Sequence, residues 1–197
     1  MNYSIYAEST PNPNVMKFVA NKILTQKSVE FTNPEEANKL DFAKALFAFP
    51  FVTNIFLNKN FISITKNNKI EWKDIVISLR VFIVDFLNNK VKQKNTIKTQ
   101  QSIHENHSEE FLKERKQKFS ETEKEIIKIL DEYIRPAILL DGGDIELNSL
   151  KDGVVNVVLR GACSGCPSST ATLKQGIQTL LQQKLGEEIK EVVAINL

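Results

Sequence analysis

A polar stretch in the middle of the chain divides the sequence into two parts. Residues 90–118 carry eight basic and four acidic side chains and few apolar ones. Such a segment buries too little apolar surface to offset the entropy of ordering its backbone. A structureless connection of about 30 residues is rare inside one compact domain. The sequence therefore predicts two domains, residues 1–89 and 119–197, joined by a flexible polar linker over residues 90–118.

The composition is that of an ordinary globular protein and excludes several functional classes. Of the 197 residues, 42% are hydrophobic and 25% are charged, and the net charge is +2. That charge is too small to indicate a nucleic-acid partner, and no apolar run approaches the roughly 20 residues of a membrane span. Residues 1–20 contain neither an apolar leader nor an Arg-rich, acid-poor one. We therefore expect a cytoplasmic protein with no nucleic-acid or membrane partner.

The apolar pattern of the first domain predicts an α+β fold. Tyr3, Ile5 and Ala7 alternate as on one face of a strand, and the prolines of residues 10–14 indicate a turn. Asn33-Pro34 is a helix-start signal. The remaining predicted elements are strands at 15–19, 52–57 and 61–65 and a final helix that carries Ile75, Leu79, Ile83 and Phe86. These apolar residues are interpreted as core, and periodicity alone assigns this domain no function.

The second domain is predicted to have the order α-β-β-α-β. Ser120 and Glu123 fit a capping box at the start of its first helix, and Pro136 must bend or end that helix. Strands follow on either side of the turn at residues 151–153. A loop of small residues, a second helix and a short last strand complete the chain. The fold class is thus α+β, built from two small α/β-layered domains.

The chemistry of the chain is concentrated in one loop of the second domain. Its two cysteines, Cys163 and Cys166, are the only ones in the sequence. Gly165 between them permits a close approach of the backbone, and Pro167 can open the following helix. The free amides of a helix N-terminus favour thiolates, so we expect the pKa values of these cysteines to be lowered. The same amides can donate to the sulfides of an anionic cluster.

Three interpretations of the cysteine pair are open. Inert buried thiols normally have apolar surroundings, which this loop lacks. A thiol–disulfide oxidoreductase would place the pair in a larger sheet. A metal centre, either zinc or an iron–sulfur cluster, needs about four ligands, and two chains related by a twofold axis would supply four thiolates.

Other residues that can bind metals have simpler explanations. His104 and His107 lie in the predicted linker, where a polar solvated segment is the simpler interpretation. Asp141 and Asp144 flank Gly142 and Gly143 and are interpreted as turn and capping residues. No constellation of acid, base and nucleophile is visible, so an enzyme is not predicted.

The cysteine loop and its surroundings resemble the NifU C-terminal domain of the Nfu family. The matching residues are Asp141-Gly142-Gly143-Asp144-Ile145-Glu146-Leu147, Gly161-Ala162-Cys163-Ser164-Gly165-Cys166-Pro167-Ser168-Ser169-Thr170 and Thr172-Leu173-Lys174. The first domain resembles the Nfu N-terminal domain through Thr10-Pro11-Asn12-Pro13-Asn14-Val15-Met16-Lys17-Phe18 and Ala43-Lys44-Ala45-Leu46-Phe47. The resemblance covers nearly all of residues 3–88 and 120–196.

The resemblance implies an iron–sulfur cluster carrier. It implies that Cys163 and Cys166 bind a labile cluster, usually [4Fe–4S] with [2Fe–2S] as the alternative, between two subunits of a homodimer. The implied partners are apo iron–sulfur acceptor proteins and the upstream cluster assembly machinery. No cysteine lies outside the loop, which favours a carrier over a primary assembly scaffold. The alternatives from other classes are a thiol–disulfide oxidoreductase and a zinc-binding interaction module.

Overall fold

The computed structural model of the chain describes residues 2–96, 119–164 and 167–195. Within these ranges the chain forms two α/β-layered domains, which confirms the predicted fold class. Cys166, His104, His107 and residues 97–118 of the predicted linker lie outside the described residues. The exact domain bounds therefore stay predictions.

The first domain is built on an antiparallel sheet of five strands in the order β1-β2-β5-β4-β3. The strands are β1 (Ile5–Ser9), β2 (Val15–Ala20), β3 (Val29–Phe31), β4 (Val52–Asn58) and β5 (Phe61–Lys66). Strands β4 and β5, both predicted, form a hairpin that turns at Lys59 and Asn60. Lys59 adopts a positive φ of 46° there.

Two helices cover one face of this sheet. They are α1 (Asp41–Phe47) and α2 (Trp72–Thr96). The core between helices and sheet includes Phe18, Ile62 and Ile64 from the strands and Leu79 and Ile83 from α2. Because alternate residues of a strand point to opposite faces, the neighbours of these strand residues point away from the helices.

Three details of the first domain differ from the predictions. Strand β3 was not predicted, because three residues are too few to display an alternating pattern. The helix predicted from Asn33-Pro34 is divided, since Leu40 is extended (φ −140°, ψ 110°) between a 3₁₀ turn at Glu36–Lys39 and α1. Asn33 nevertheless caps the 3₁₀ turn, and its Oδ1 accepts from the amide of Glu36 at 2.9 Å. Helix α2 extends beyond position 89 to Thr96.

The second domain has the predicted order α-β-β-α-β. Its sheet has the order β6-β7-β8, with β6 and β7 antiparallel and β7 and β8 parallel. The strands are β6 (Gly143–Lys151), β7 (Val154–Gly161) and β8 (Glu191–Ile195). Helix α3 (Glu121–Ile129) and a π-helical turn (Leu130–Ile134) lead into α4 (Arg135–Leu140), and α5 spans Pro167–Leu185.

The predicted effects of Ser120 and Pro136 on the first helix of this domain are confirmed. Ser120 accepts from the amide of Glu123, and the Glu123 carboxylate accepts from the amide of Ser120 at 2.8 Å. Pro136 lies in the first turn of α4, directly after the π-helical turn, so the helix is interrupted there and then continues. In the described parts of the chain, every helix is too short or too polar to cross a membrane.

Candidate functional site

Cys163 lies in a tight turn directly after β7. The amide of Ala162 donates to the carbonyl oxygen of Gly142 at 3.2 Å, which ties this turn to the start of β6. The amide and the hydroxyl of Ser164 both donate to the carbonyl oxygen of Gly161, at 3.1 and 2.8 Å. Gly161 has a positive φ of 64°, which glycine adopts without strain. These bonds hold the backbone on both sides of Cys163.

The side chain of Cys163 is half-buried and packs against the core of the second domain. Gly143 lies beside it, so close that a Cβ atom at position 143 would be 3.2 Å from the Cβ atom of Cys163. The glycine therefore leaves the space that this thiol occupies.

The predicted lowering of the cysteine pKa is wrong for Cys163. Burial, together with the negative charges of Asp141 and Asp144, raises the pKa of this thiol to about 11. The prediction assumed that the thiol lies at a helix N-terminus, but Cys163 precedes the first residue of α5, Pro167, by four positions and faces two carboxylates instead. Without bound metal this thiol is protonated at neutral pH, and it would release a proton on binding a metal ion.

Asp144 is a buried residue of strand β6, so its assignment to a turn is wrong. Its carboxylate lies 3.1 Å from Nε of Arg135 and accepts from the side-chain amide of Asn58 at 3.2 Å. Burial raises the pKa of Asp144 above its usual value, although the charge of Arg135 opposes this. Asp141 does lie in the turn, as predicted, and is exposed. Asp144 thus connects strand β6 both to Asn58 of the first domain and to Arg135 of α4.

A cavity of about 550 Å³ opens beside Cys163. One wall is formed by the π-helical turn and α4, and the opposite wall is formed by the first turns of α5. Pro11, in the turn between β1 and β2, adds a wall from the first domain. The cavity that contains the thiol is lined by Tyr133, Ile134, Ala137, Ile138, Ala162 and Leu173. The thiol therefore faces a mostly apolar space that can receive a ligand or a partner segment.

The described residues supply one of the two predicted ligands. Cys163 is placed as above, whereas Cys166 lies outside the described residues, and Pro167 begins α5 as predicted. Among the residues that the structure describes, no group of three or more His, Cys, Asp or Glu side chains is arranged to hold a metal ion. The ligand assignment therefore stays a prediction.

The first domain contributes residues to this site that the sequence analysis did not identify. The side-chain amide of Asn12 donates to the carbonyl oxygen of Ala162 at 3.3 Å. The hydroxyl of Ser63 donates to the carbonyl oxygen of Gly142 at 2.5 Å. Asn12 belongs to the Pro-rich turn at residues 10–14, which carried the family resemblance but no predicted role. Strand β2 offered a further signal, because it is almost continuously apolar apart from Lys17, as is typical of a strand buried on both faces.

Comparison with known proteins identifies both domains. Residues 5–90 match the family model described as scaffold protein Nfu/NifU N terminal, and residues 126–193 match the NifU-like domain. The chain is 32% identical to NifU-like protein 5, mitochondrial, of Arabidopsis thaliana over 93% of this chain and 65% of that protein. It is 33% identical to the human NFU1 iron-sulfur cluster scaffold homolog, mitochondrial, over 90% of this chain and 66% of that protein.

These relatives overturn the predicted cytoplasmic location. The similar proteins from Arabidopsis thaliana and Homo sapiens carry the word mitochondrial in their names. The prediction rested on the composition of residues 1–20, which does not determine the compartment of the protein.

The comparisons cover most of this chain but not the whole of its relatives. The chain spans about two thirds of the length of the two proteins named above. Both family models match in the order found in the sequence, one on each side of residues 91–125. The chain therefore belongs to the Nfu family, with an Nfu N-terminal domain followed by a NifU-like domain.

Proposed function

We propose that this protein is an iron–sulfur cluster carrier and scaffold. In this proposal a [4Fe–4S] cluster is bound between Cys163 and Cys166 of one chain and the same pair of a second chain. The protein then passes the cluster to apo-proteins and catalyses no reaction of its own. The observation that carries the proposal is the position of the Cys163 thiol, in a tied turn beside an open cavity, in a domain that matches the NifU-like family.

The number of cysteines supports a cluster shared by two chains. Iron–sulfur clusters are held by about four thiolates, and this chain has two cysteines, both in one loop. A second copy related by a twofold axis is the simplest source of the other two ligands. The bound cluster would then be the cargo of a homodimer.

The proposed delivery step is an exchange of thiolate ligands. A thiolate of the acceptor protein attacks an iron atom of the cluster, and a carrier thiolate leaves and takes up a proton. The high pKa of Cys163 favours this direction, because the released thiolate is readily reprotonated. Repeating the exchange moves the intact cluster without oxidation or reduction. The donor at the start of the cycle would be upstream assembly machinery, as the named scaffold role of the human relative suggests.

Anaerobic reconstitution with iron and sulfide tests this proposal. Wild-type protein, Cys163→Ser and Cys166→Ser are compared with Gly176→Ala, a control in α5 where an added Cβ meets no atom within 4 Å. We expect broad visible absorbance and about equal iron and sulfide in the wild type and the control, and loss of both in each cysteine variant.

Other outcomes of the same experiment contradict the proposal. A colourless protein that binds zinc stoichiometrically would identify a zinc module, and a reversible disulfide between the cysteines would identify an oxidoreductase. A cluster with two irons per pair of chains would replace [4Fe–4S] by [2Fe–2S]. Full cluster content in either cysteine variant would refute the ligand assignment.

A further inference from the structure

The first domain presents polar side chains on a sheet face that is nevertheless buried. Lys17 of β2 and Asn58 of β4 are each 6% exposed, and Ser63 of β5 is 1% exposed. In the register of β2 and β5, Lys17 lies opposite Ser63, while Phe18 lies opposite Ile62 in the helix-covered core. Alternation thus places Lys17 and Ser63 on the face away from the helices. The second domain covers that face.

Polar side chains of the first domain bond to the backbone on both sides of the candidate site. Besides the bonds from Asn12 to Ala162 and from Ser63 to Gly142, the amide of Gly161 donates to the carboxylate of Glu30 at 3.0 Å. Asn12 binds the turn after β7, Glu30 binds the last residue of β7, and Ser63 binds the turn before β6. The first domain therefore bonds to both segments that hold Cys163.

The glycines of these turns fit the first domain closely. A Cβ atom on Gly142 would lie 2.8 Å from the hydroxyl oxygen of Ser63, and one on Gly161 would lie 2.7 Å from the ring of Phe56. Phe56 belongs to an apolar cluster with Val19, Phe61 and Leu139 across the same boundary. Positive φ explains glycine at both positions, and the close approach of the other domain is a second reason for it.

We propose that Asn12 and Ser63 are positioning residues for the candidate cluster site, and this inference rests on the proposed function. Asn12 holds the carbonyl group of the residue directly before Cys163. Ser63 holds the carbonyl group of Gly142, which also accepts from the amide of Ala162. The two side chains thereby fix the turn of Cys163 against the turn of Gly142 and Gly143. In this proposal the first domain takes part in holding the cluster.

The structure offers closely matched variants for a test in the full chain. Asn12→Asp keeps the Oδ1 atom that accepts from the amide of Asn14 but removes the donor to Ala162. Asn67 makes the same pair of contacts elsewhere, since its Oδ1 accepts from the amide of Lys69 and its side-chain amide donates to Pro50. Asn67→Asp is therefore the control. Ser63→Ala removes the second positioning group, and Ser63→Thr restores a hydroxyl.

Two measurements separate a positioning role from a merely structural one. Hydrogen exchange of the Gly161 and Ala162 amides, measured by NMR in cluster-free protein, reports on the loop. The rate of cluster loss to an iron chelator, with the visible circular dichroism of the bound cluster, reports on the site. We expect Asn12→Asp and Ser63→Ala to accelerate both rates roughly five-fold and to change the circular dichroism, since a hydrogen bond contributes about that factor.

The outcome decides the proposal in either direction. Asn67→Asp is expected to behave as the wild type, and Ser63→Thr, which keeps the hydroxyl but adds a methyl group at a buried position, to lie closer to the wild type than Ser63→Ala. If cluster loss and loop exchange in Asn12→Asp and Ser63→Ala match those of Asn67→Asp, the positioning role is refuted. A wild-type chain that takes up no cluster overturns the proposed function, while the exchange rates still decide whether Asn12 and Ser63 hold the loop.

Discussion

A Cβ atom on Gly143 would lie 2.7 Å from the Sγ atom of Cys163. The same Cβ atom would lie 2.7 Å from the carbonyl oxygen of Arg160 on the neighbouring strand. Real Cβ atoms do not approach sulfur or backbone oxygen so closely, and the backbone of β7 cannot easily move away. Relief of both contacts would require the thiol of Cys163 to move and the strand backbone at Gly143 or Arg160 to shift. Gly143 is thus a determinant of where the candidate ligand lies.

Gly143→Ala is expected to displace the thiol and to prevent normal cluster uptake. Overpacking of this kind costs about 1–3 kcal/mol of unfolding free energy. Iron and sulfide content after anaerobic reconstitution and the urea midpoint measure the two effects. Gly176→Ala is the matched control, because it adds the same methyl group in open space. Equal cluster content in the two variants would contradict the role of Gly143.

The raised pKa of Cys163 predicts slow and strongly pH-dependent alkylation of the cluster-free protein. With a pKa of about 11 in place of 9.0, roughly a hundredfold less thiolate is present at pH 8 than in an ordinary cysteine. The thiolate reacts, so the rate should rise about tenfold per pH unit until the pH nears that pKa. Peptide mapping after iodoacetamide treatment follows Cys163 separately from Cys166. A rate that levels off below pH 9 would contradict the raised pKa.

The charge of Asp141 is one cause of that shift and can be removed. Asp141→Asn should lower the pKa of Cys163 and accelerate its alkylation at pH 8. Asp152→Asn, in the exposed turn between β6 and β7, removes the same charge and should leave the rate unchanged. If both variants react at the same rate, then Asp141 does not influence the thiol.

The capping box of α3 is expected to stabilise the second domain. Ser120→Ala removes the acceptor for the amide of Glu123 at 3.2 Å and should lower the unfolding free energy by about 1 kcal/mol. Glu125→Ala changes an exposed position of the same helix and serves as the control. Chemical denaturation monitored by circular dichroism measures both. A stability of Ser120→Ala equal to that of the control would show that the cap is unimportant.

The second domain was predictable because its signals are local. The capping box, the turn at residues 151–153 and Pro167 at the start of a helix each depend on a few neighbouring residues. The cysteine motif is equally local and is visible in the sequence, whereas the assignment of Cys163 and Cys166 as ligands stays a prediction.

The boundary between the domains was not predictable from local pattern. Lys17 and Ser63 occupy strand positions where polar residues normally face water. The apolar run of β2 indicates burial on both faces, but no neighbouring residue indicates which part of the chain covers them. Lys17 instead donates to the carbonyl oxygen of Leu140 at 3.0 Å and pairs with Glu8 at 3.0 Å. The prediction of a lowered pKa for Cys163 failed because burial, the largest cause of the raised pKa, and the charges of Asp141 and Asp144 depend on tertiary packing.

The stoichiometry of the reconstituted full chain decides whether one cluster is bound between two chains. Native mass spectrometry under anaerobic conditions, with iron and sulfide analysis, measures chains and cluster atoms together. We expect a dimer that carries about four irons and four sulfides per two chains, and no such species for Cys163→Ser. A single chain that holds a complete cluster, or a dimer that keeps its cluster without the Cys163 thiol, would contradict it.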